Sequence, residues 1–212
     1  MDASAPAASL YAGLSDWRRR VADLYSQIRS AERPADAWEL WRQSRDTLLA
    51  EHNQSPLDNM DRANFKGLEY FDYNPDLRFI VNVVAAETTA HLSMKLGNDG
   101  TAELAPAGRT DGLADELGAE LNLYWITGYG GGLFLPFSDA TSGVETYGGG
   151  RYVLDTIKGA DLGQDGDGLV IDFNFAYNPS CSYSSRWVCP LAPNDNKLPR
   201  AVCAGERTLG LH

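Results

Sequence analysis

The stretch FIVNVVAAETTAHLSMKLGNDGTAELAPA, residues 79–107, decides the fold. Phe79–Ala85 is a β-branched run, His91–Leu96 alternates apolar and polar residues, and Gly97-Asn98-Asp99-Gly100 reads as a hairpin turn into Thr101–Ala107. Branched side chains pack well on a pleated surface, so these segments are predicted as strands. Downstream the pattern repeats. Leu121, Leu123 and Trp125 alternate, and Leu133–Phe137, Arg151–Thr156, Leu169–Phe175 and Leu198–Cys203 are further short strands between glycine-rich turns. Asp111–Glu120 reads equally well as a helical turn or a loop. Residues 52–212 are therefore expected to form a β-rich domain, an antiparallel β-barrel or sandwich.

Upstream the periodicity changes. Leu10, Leu14, Trp17, Val21, Leu24 and Ile28 recur at spacings of three and four, widened by Tyr11 and Tyr25, and predict an amphipathic helix. Pro34 and Asp36 mark a second helix start, which Trp38, Leu40, Trp41, Leu48 and Leu49 carry to about Ala50. Residues 1–51 are expected to be a helical hairpin packed on the β-rich part, with Trp17, Trp38 and Trp41 mostly buried. The fold class predicted is α+β and β-rich.

Composition limits the partners. The 212 residues hold 29 acidic and 18 basic side chains, a net charge of -11, so a nucleic acid would meet repulsion instead of counterion release. No stretch approaches the roughly 20 consecutive apolar residues of a membrane span, and no basic segment leads into an apolar one near residue 1. The expectation is a cytoplasmic protein with no membrane partner, no cofactor and a small-molecule ligand. Cys181, Cys189 and Cys203 are too few for a disulfide scaffold. Cys181 and Cys189 stand too far apart for a structural zinc pair, and they are read as pinning their loop, either as packed thiols or as a disulfide. Gly128–Gly132 and Gly148–Gly150 lack the context of a phosphate-binding loop and read as tight turns.

Unusual polar residues concentrate in two regions. The first is Asp139-Ala140-Thr141-Ser142-Gly143-Val144-Glu145-Thr146-Tyr147-Gly148-Gly149-Gly150-Arg151-Tyr152. The second runs from Asp172-Phe173-Asn174-Phe175-Ala176-Tyr177-Asn178-Pro179-Ser180-Cys181 through Cys189-Pro190-Leu191 and Asn194-Asp195-Asn196 to Ala204-Gly205-Glu206. These blocks, in this order and preceded by Phe65-Lys66-Gly67-Leu68, resemble the bacterial and archaeal family known as domain of unknown function 1684, over about residues 65–206. The resemblance implies no activity. Longer members of that family carry a further small β domain ahead of the Phe-Lys-Gly segment, where this chain has the helical pair.

Roles are argued from the residues. Strand alternation sets Asp172 and Asn174 opposite Leu169, Ile171, Phe173 and Phe175; if that apolar face meets the helices, the Asp172 face meets either solvent or a barrel interior. It also sets Arg151 at the start of another strand, sharing a face with Val153 and Asp155. A buried Arg needs a carboxylate or an anionic ligand, and Asp172 is the expected partner. Tyr147, Asp172 and Glu206 are the candidate acid-base groups, and Arg151, Asn174, Tyr177, Asn178 and Glu145 the candidate substrate contacts. The function this suggests is acid-base catalysis on a small, anionic metabolite in a β-barrel pocket. The alternatives are a non-catalytic small-molecule-binding module and a structural or interaction protein.

Overall fold

The structure is a computed structural model and describes residues 7–95 and 100–209. Helix α1 (Ala7–Arg29) buries Leu24, Tyr25 and Ile28, and α2 (Pro34–Glu51) buries Trp38, Trp41, Leu48 and Leu49. The three- and four-residue spacing puts each set on one side of its helix, and the helices pack on each other. Trp41 Nε1 donates to Tyr25 Oη across their contact at 3.2 Å. Pro34 holds the first position of α2, where a missing N–H costs nothing. Trp17 is half-buried, edge-on to His52, which itself pairs with Asp16.

Eight strands follow: β1 (Arg78–Val84), β2 (Leu92–Lys95), β3 (Thr101–Asp111), β4 (Asn122–Ile126), β5 (Gly132–Phe137), β6 (Arg151–Asp155), β7 (Gln164–Asp165) and β8 (Gly168–Asp172). They form one sheet in the order β6-β5-β4-β3-β1-β8-β7, with β2 beside β3. Every ladder is antiparallel. The long β3 pairs with β2 through Leu92↔Leu104 and with β1 through Asn82↔Asp111. Short helices α3 (Asn59–Asn64) and α4 (Ala114–Leu117) lie in the connections. The predicted Gly97–Gly100 turn lies outside the described residues except for Gly100.

The sheet curls into a half-barrel, and one bridge joins the end strand β6 to the segment that follows β8. After β8 a 3₁₀ turn, Phe173–Phe175, carries the chain to Tyr177. There Tyr152 N–H of β6 donates to Tyr177 O and Tyr177 N–H to Tyr152 O, each at 2.9 Å. Alternation then divides two cores. Leu123, Leu135, Val153, Ile171 and Phe173 pack with Leu198, Val202 and Ala204, whereas Tyr124, Phe134, Tyr152, Phe175 and Tyr177 pack with the α1 and α2 side chains. Each face of the sheet thus carries one core, one with the helices and one with residues 198–204.

Two sequence expectations change. Leu198–Cys203 is not a strand, because its polar backbone is bonded elsewhere: Leu198 N–H donates to Ser138 O at 2.8 Å and Val202 N–H to Asp139 Oδ2 at 2.6 Å. The strand at Leu169 ends at Asp172, whose carboxylate accepts from Asn174 N at 2.9 Å and starts the 3₁₀ turn. The turn breaks the alternation. Leu169, Ile171 and Phe173 consequently face residues 198–204 and not the helices, which only Phe175 reaches. Among the described residues no helix is long and apolar enough to cross a membrane.

Candidate functional site

Arg151 enters β6 directly after Gly150 and is 1% exposed. Its guanidinium donates to the carbonyls of Val202 (Nη2, 2.9 Å), Ala204 and Glu206 (Nη1, 3.2 Å), and lies 5.1 Å from the centre of the Phe137 ring. Its carboxylate is Asp139 at 3.5 Å, not Asp172. Asp139 also accepts from the Thr141 hydroxyl at 2.9 Å and from the Val202 amide. Burial lowers the Arg151 pKa, and Asp139 acts against that shift. The fan of donors fastens residues 202–206 to the sheet.

The chain thereby delivers Glu206 to the centre of the molecule. Gly205 makes the approach with φ +74, and a Cβ there would stand 2.5 Å from Ala176 O. Glu206 is fully buried. Its Oε1 accepts from Arg45 Nε of α2, and its Oε2 accepts from Asn178 N and from Tyr183 Oη, each at 2.7 Å. Burial disfavours the Arg45 cation, but Glu206, together with Tyr183 and Tyr70, holds its pKa well above the ordinary value. The Arg45 guanidinium also lies 5.3 Å from the Trp41 ring centre and 5.0 Å from that of Tyr177.

Around this ion pair a cleft of about 70 Å³ opens between the helical hairpin and the closing bridge of the half-barrel. Trp17, Tyr25, Arg45, Tyr152, Lys158, Tyr177, Asn178 and Tyr183 are among the side chains that line it. Two lining residues carry buried polar atoms, the Tyr177 hydroxyl and Asn178 Oδ1, that have no hydrogen-bond partner among the described residues. Burial holds the Tyr177 pKa well above that of a free phenol, so the group is a neutral donor. The cations at the cleft are already paired, Arg45 with Glu206 and Lys158 with Asp155 at 3.1 Å.

Of the residues expected from sequence, Tyr177 and Asn178 line this cleft, and Glu206 stands behind it on Arg45 and Tyr183. The others have separate partners. Asp172 Oδ1 accepts from Asn174 N and Nδ2, at 2.9 and 2.8 Å, while Asn174 in turn bonds the backbone of Asn74 in both directions at 2.8 Å. Tyr147 stands 3.7 Å from the Cys181 sulfur, and Glu145 pairs with Arg207 at 3.5 Å. Arg45, Lys158 and Tyr183 are the side chains that sequence reasoning missed. Arg45 had a signal: it continues the spacing of Trp38 and Trp41 toward Leu48 and Leu49, so a cation lay on the apolar stripe. Among the described residues, no three His, Cys, Asp or Glu side chains are grouped to hold a metal ion.

Asp172 has a measurable consequence of its own. Burial pushes its carboxyl up to about 6, against the opposing effect of the Asn174 bonds and of Arg78 at 3.9 Å. A carboxyl with a raised folded-state pKa contributes stability that is complete below its unfolded value near 4 and is lost as pH rises through about 6. Relative to Asp172→Asn, wild type is expected to lose up to about 3 kcal/mol between pH 4 and pH 7.5, at about 1.4 kcal/mol per unit. Urea unfolding of both proteins at each pH reads this directly, and a difference that stays constant with pH contradicts it.

Comparison with known proteins adds family membership but no activity. Among curated proteins, none matches the chain. The solution NMR structure of an uncharacterised protein from Haloarcula marismortui is similar to it, with 35% identity and a TM-score of 0.54, over 81% of this chain and 92% of that one. A family model described as "Protein of unknown function (DUF1684)" matches residues 63–207. That span contains every strand, the Asp139–Arg151 pair and Glu206, and the chain belongs to this family of unknown function.

Proposed function

We propose that the chain is a small-molecule-binding module whose ligand sits in the cleft between the helical hairpin and the Tyr152–Tyr177 bridge. The observation that carries this reading is the pair of unpartnered buried groups on two residues that line the cleft, the Tyr177 hydroxyl and Asn178 Oδ1. An orphaned buried polar atom costs about 1–3 kcal/mol, a cost that a ligand with one acceptor and one donor would remove. The volume suits a molecule of a few heavy atoms, and the paired state of Arg45 and Lys158 favours an uncharged polar ligand over the anion first expected. Binding is favoured over acid-base catalysis because Glu206 is committed to Arg45, Tyr183 and Asn178, and Tyr177 keeps its proton.

The test is a thermal-shift screen with small neutral amides, diols and hydroxy compounds alongside matched carboxylates and phosphates. A neutral polar compound is expected to raise Tm in wild type, and Tyr177→Phe to weaken it about tenfold without lowering the Tm of the free protein. The reading fails if no neutral compound stabilises the fold, or if Tyr177→Phe binds as tightly as wild type.

A further inference from the structure

A second set of reactive groups lies next to the cleft, and its chemistry is independent of what the cleft binds. Cys181 follows Ser180, which lines the cleft, and Cys189 precedes Pro190, whose carbonyl accepts from the Tyr152 hydroxyl. The eight-residue separation is folded back on itself: Cys181 N–H donates to Cys189 Sγ, 3.3 Å away, which brings the two cysteines side by side. The Tyr147 hydroxyl stands 3.7 Å from Cys181 Sγ. Both cysteines are half-buried free thiols, while Cys203 is exposed elsewhere.

We propose that Cys181 and Cys189 form a redox-active dithiol that exchanges with disulfide-bonded thiol compounds, Cys181 attacking and Cys189 resolving. The Cys181 thiolate attacks one sulfur of a disulfide R–S–S–R, breaking the S–S bond, releasing one thiolate RS⁻ and leaving R–S joined to Cys181 Sγ as a mixed disulfide. Cys189 loses its proton, which passes to the released thiolate, and its sulfur then attacks Cys181 Sγ. The second RS⁻ leaves and takes up the proton first lost by Cys181. The two cysteine thiols are oxidised to one disulfide, and one external disulfide is reduced to two thiols.

The surroundings divide these roles. The hydrogen bond from Cys189 lowers the Cys181 pKa to about 6, against burial, and Tyr147 contributes to the lowering. Burial pushes the Tyr147 phenol up to about 12, so it remains a donor to the sulfur. The same thiol contact, with burial, holds the Cys189 pKa above the ordinary thiol value, with Lys158 acting weakly against it. One sulfur is therefore ionised near neutral pH while its neighbour keeps its proton until the mixed disulfide forms.

The probe is oxidised glutathione, added to the reduced full chain at neutral pH and followed by alkylation and peptide mass mapping. The three cysteines of the chain are expected to fall to one alkylatable thiol, Cys203, with the Cys181 and Cys189 peptides cross-linked. Cys189→Ser should trap glutathione on Cys181. Iodoacetamide at pH 6 should label Cys181 in wild type about tenfold faster than Cys203. The proposal is overturned if three alkylatable thiols persist at an oxidising glutathione poise, if the disulfide involves Cys203, or if the trapped adduct lies on a residue other than Cys181. The wild-type thiol count needs no variant, so a folding defect in Cys189→Ser leaves the test intact.

Discussion

Glu206→Gln is expected to cost about 3–5 kcal/mol of stability, a large fraction of the roughly 5–15 kcal/mol that holds a domain folded. The amide would keep an oxygen for Arg45 but turn its NH₂ toward Asn178 N–H, where donor would face donor, and the Tyr183 hydroxyl would lose its carboxylate acceptor. The buried Arg45 cation would also lose its only carboxylate among the described salt bridges. Urea unfolding read by tryptophan fluorescence suits the question, since the Arg45 guanidinium stacks on Trp41. Arg45→Met should be as damaging, because it leaves Glu206 charged and alone. Replacing both residues by Met should be less damaging than the two single losses added together, as removing a buried pair entirely spares the uncompensated charge. Single variants that unfold at the wild-type urea concentration would show that the pair does not seat the hairpin.

Arg151→Met is the second large effect, also about 3–5 kcal/mol or more. Its loss would leave Asp139 without a cation and remove the donor to the carbonyls of Val202, Ala204 and Glu206. Arg151→Lys is expected to rescue little, because one ammonium cannot reach carbonyls that the planar guanidinium spans. Adding Asp139→Asn to Arg151→Met should recover part of the stability by removing the stranded charge. Chemical denaturation of the four proteins reads the whole series. If Arg151→Met keeps wild-type stability, the residue is free to act as an anion clamp and its structural role is wrong.

Much of the architecture was legible because it rests on local periodicity. The helices were readable from Leu10–Ile28 and Trp38–Leu49, and the meander from alternation at Phe79–Ala85 and Leu121–Trp125, since each pattern is set by which side of an element is covered. Leu198–Cys203 misled for the same reason. A segment with apolar residues looks like a strand whether its amides meet a neighbouring strand or the side chains of Asp139 and Arg151. The site was legible by residue type but not by grouping. Asn178 and Glu206 meet directly, but the cation that completes their cluster with Tyr177 is Arg45, far away in sequence on α2. The choice of Asp139 over Asp172 at Arg151 depends on how the loop from Ser138 to Gly150 folds back, which no spacing rule encodes.

The seating of the hairpin through Glu206 also dictates an order of assembly. The contact spans 161 positions, so α1 and α2 leave the ribosome long before the carboxylate that fixes them exists. At about 5–20 residues per second that interval lasts on the order of ten seconds or more. Until the strands have emerged, Trp38 and Trp41 have no sheet to cover them. Long loop closures are slow to form, so folding of this chain is governed by its late, distant contacts, and the nascent hairpin is the segment a chaperone would engage.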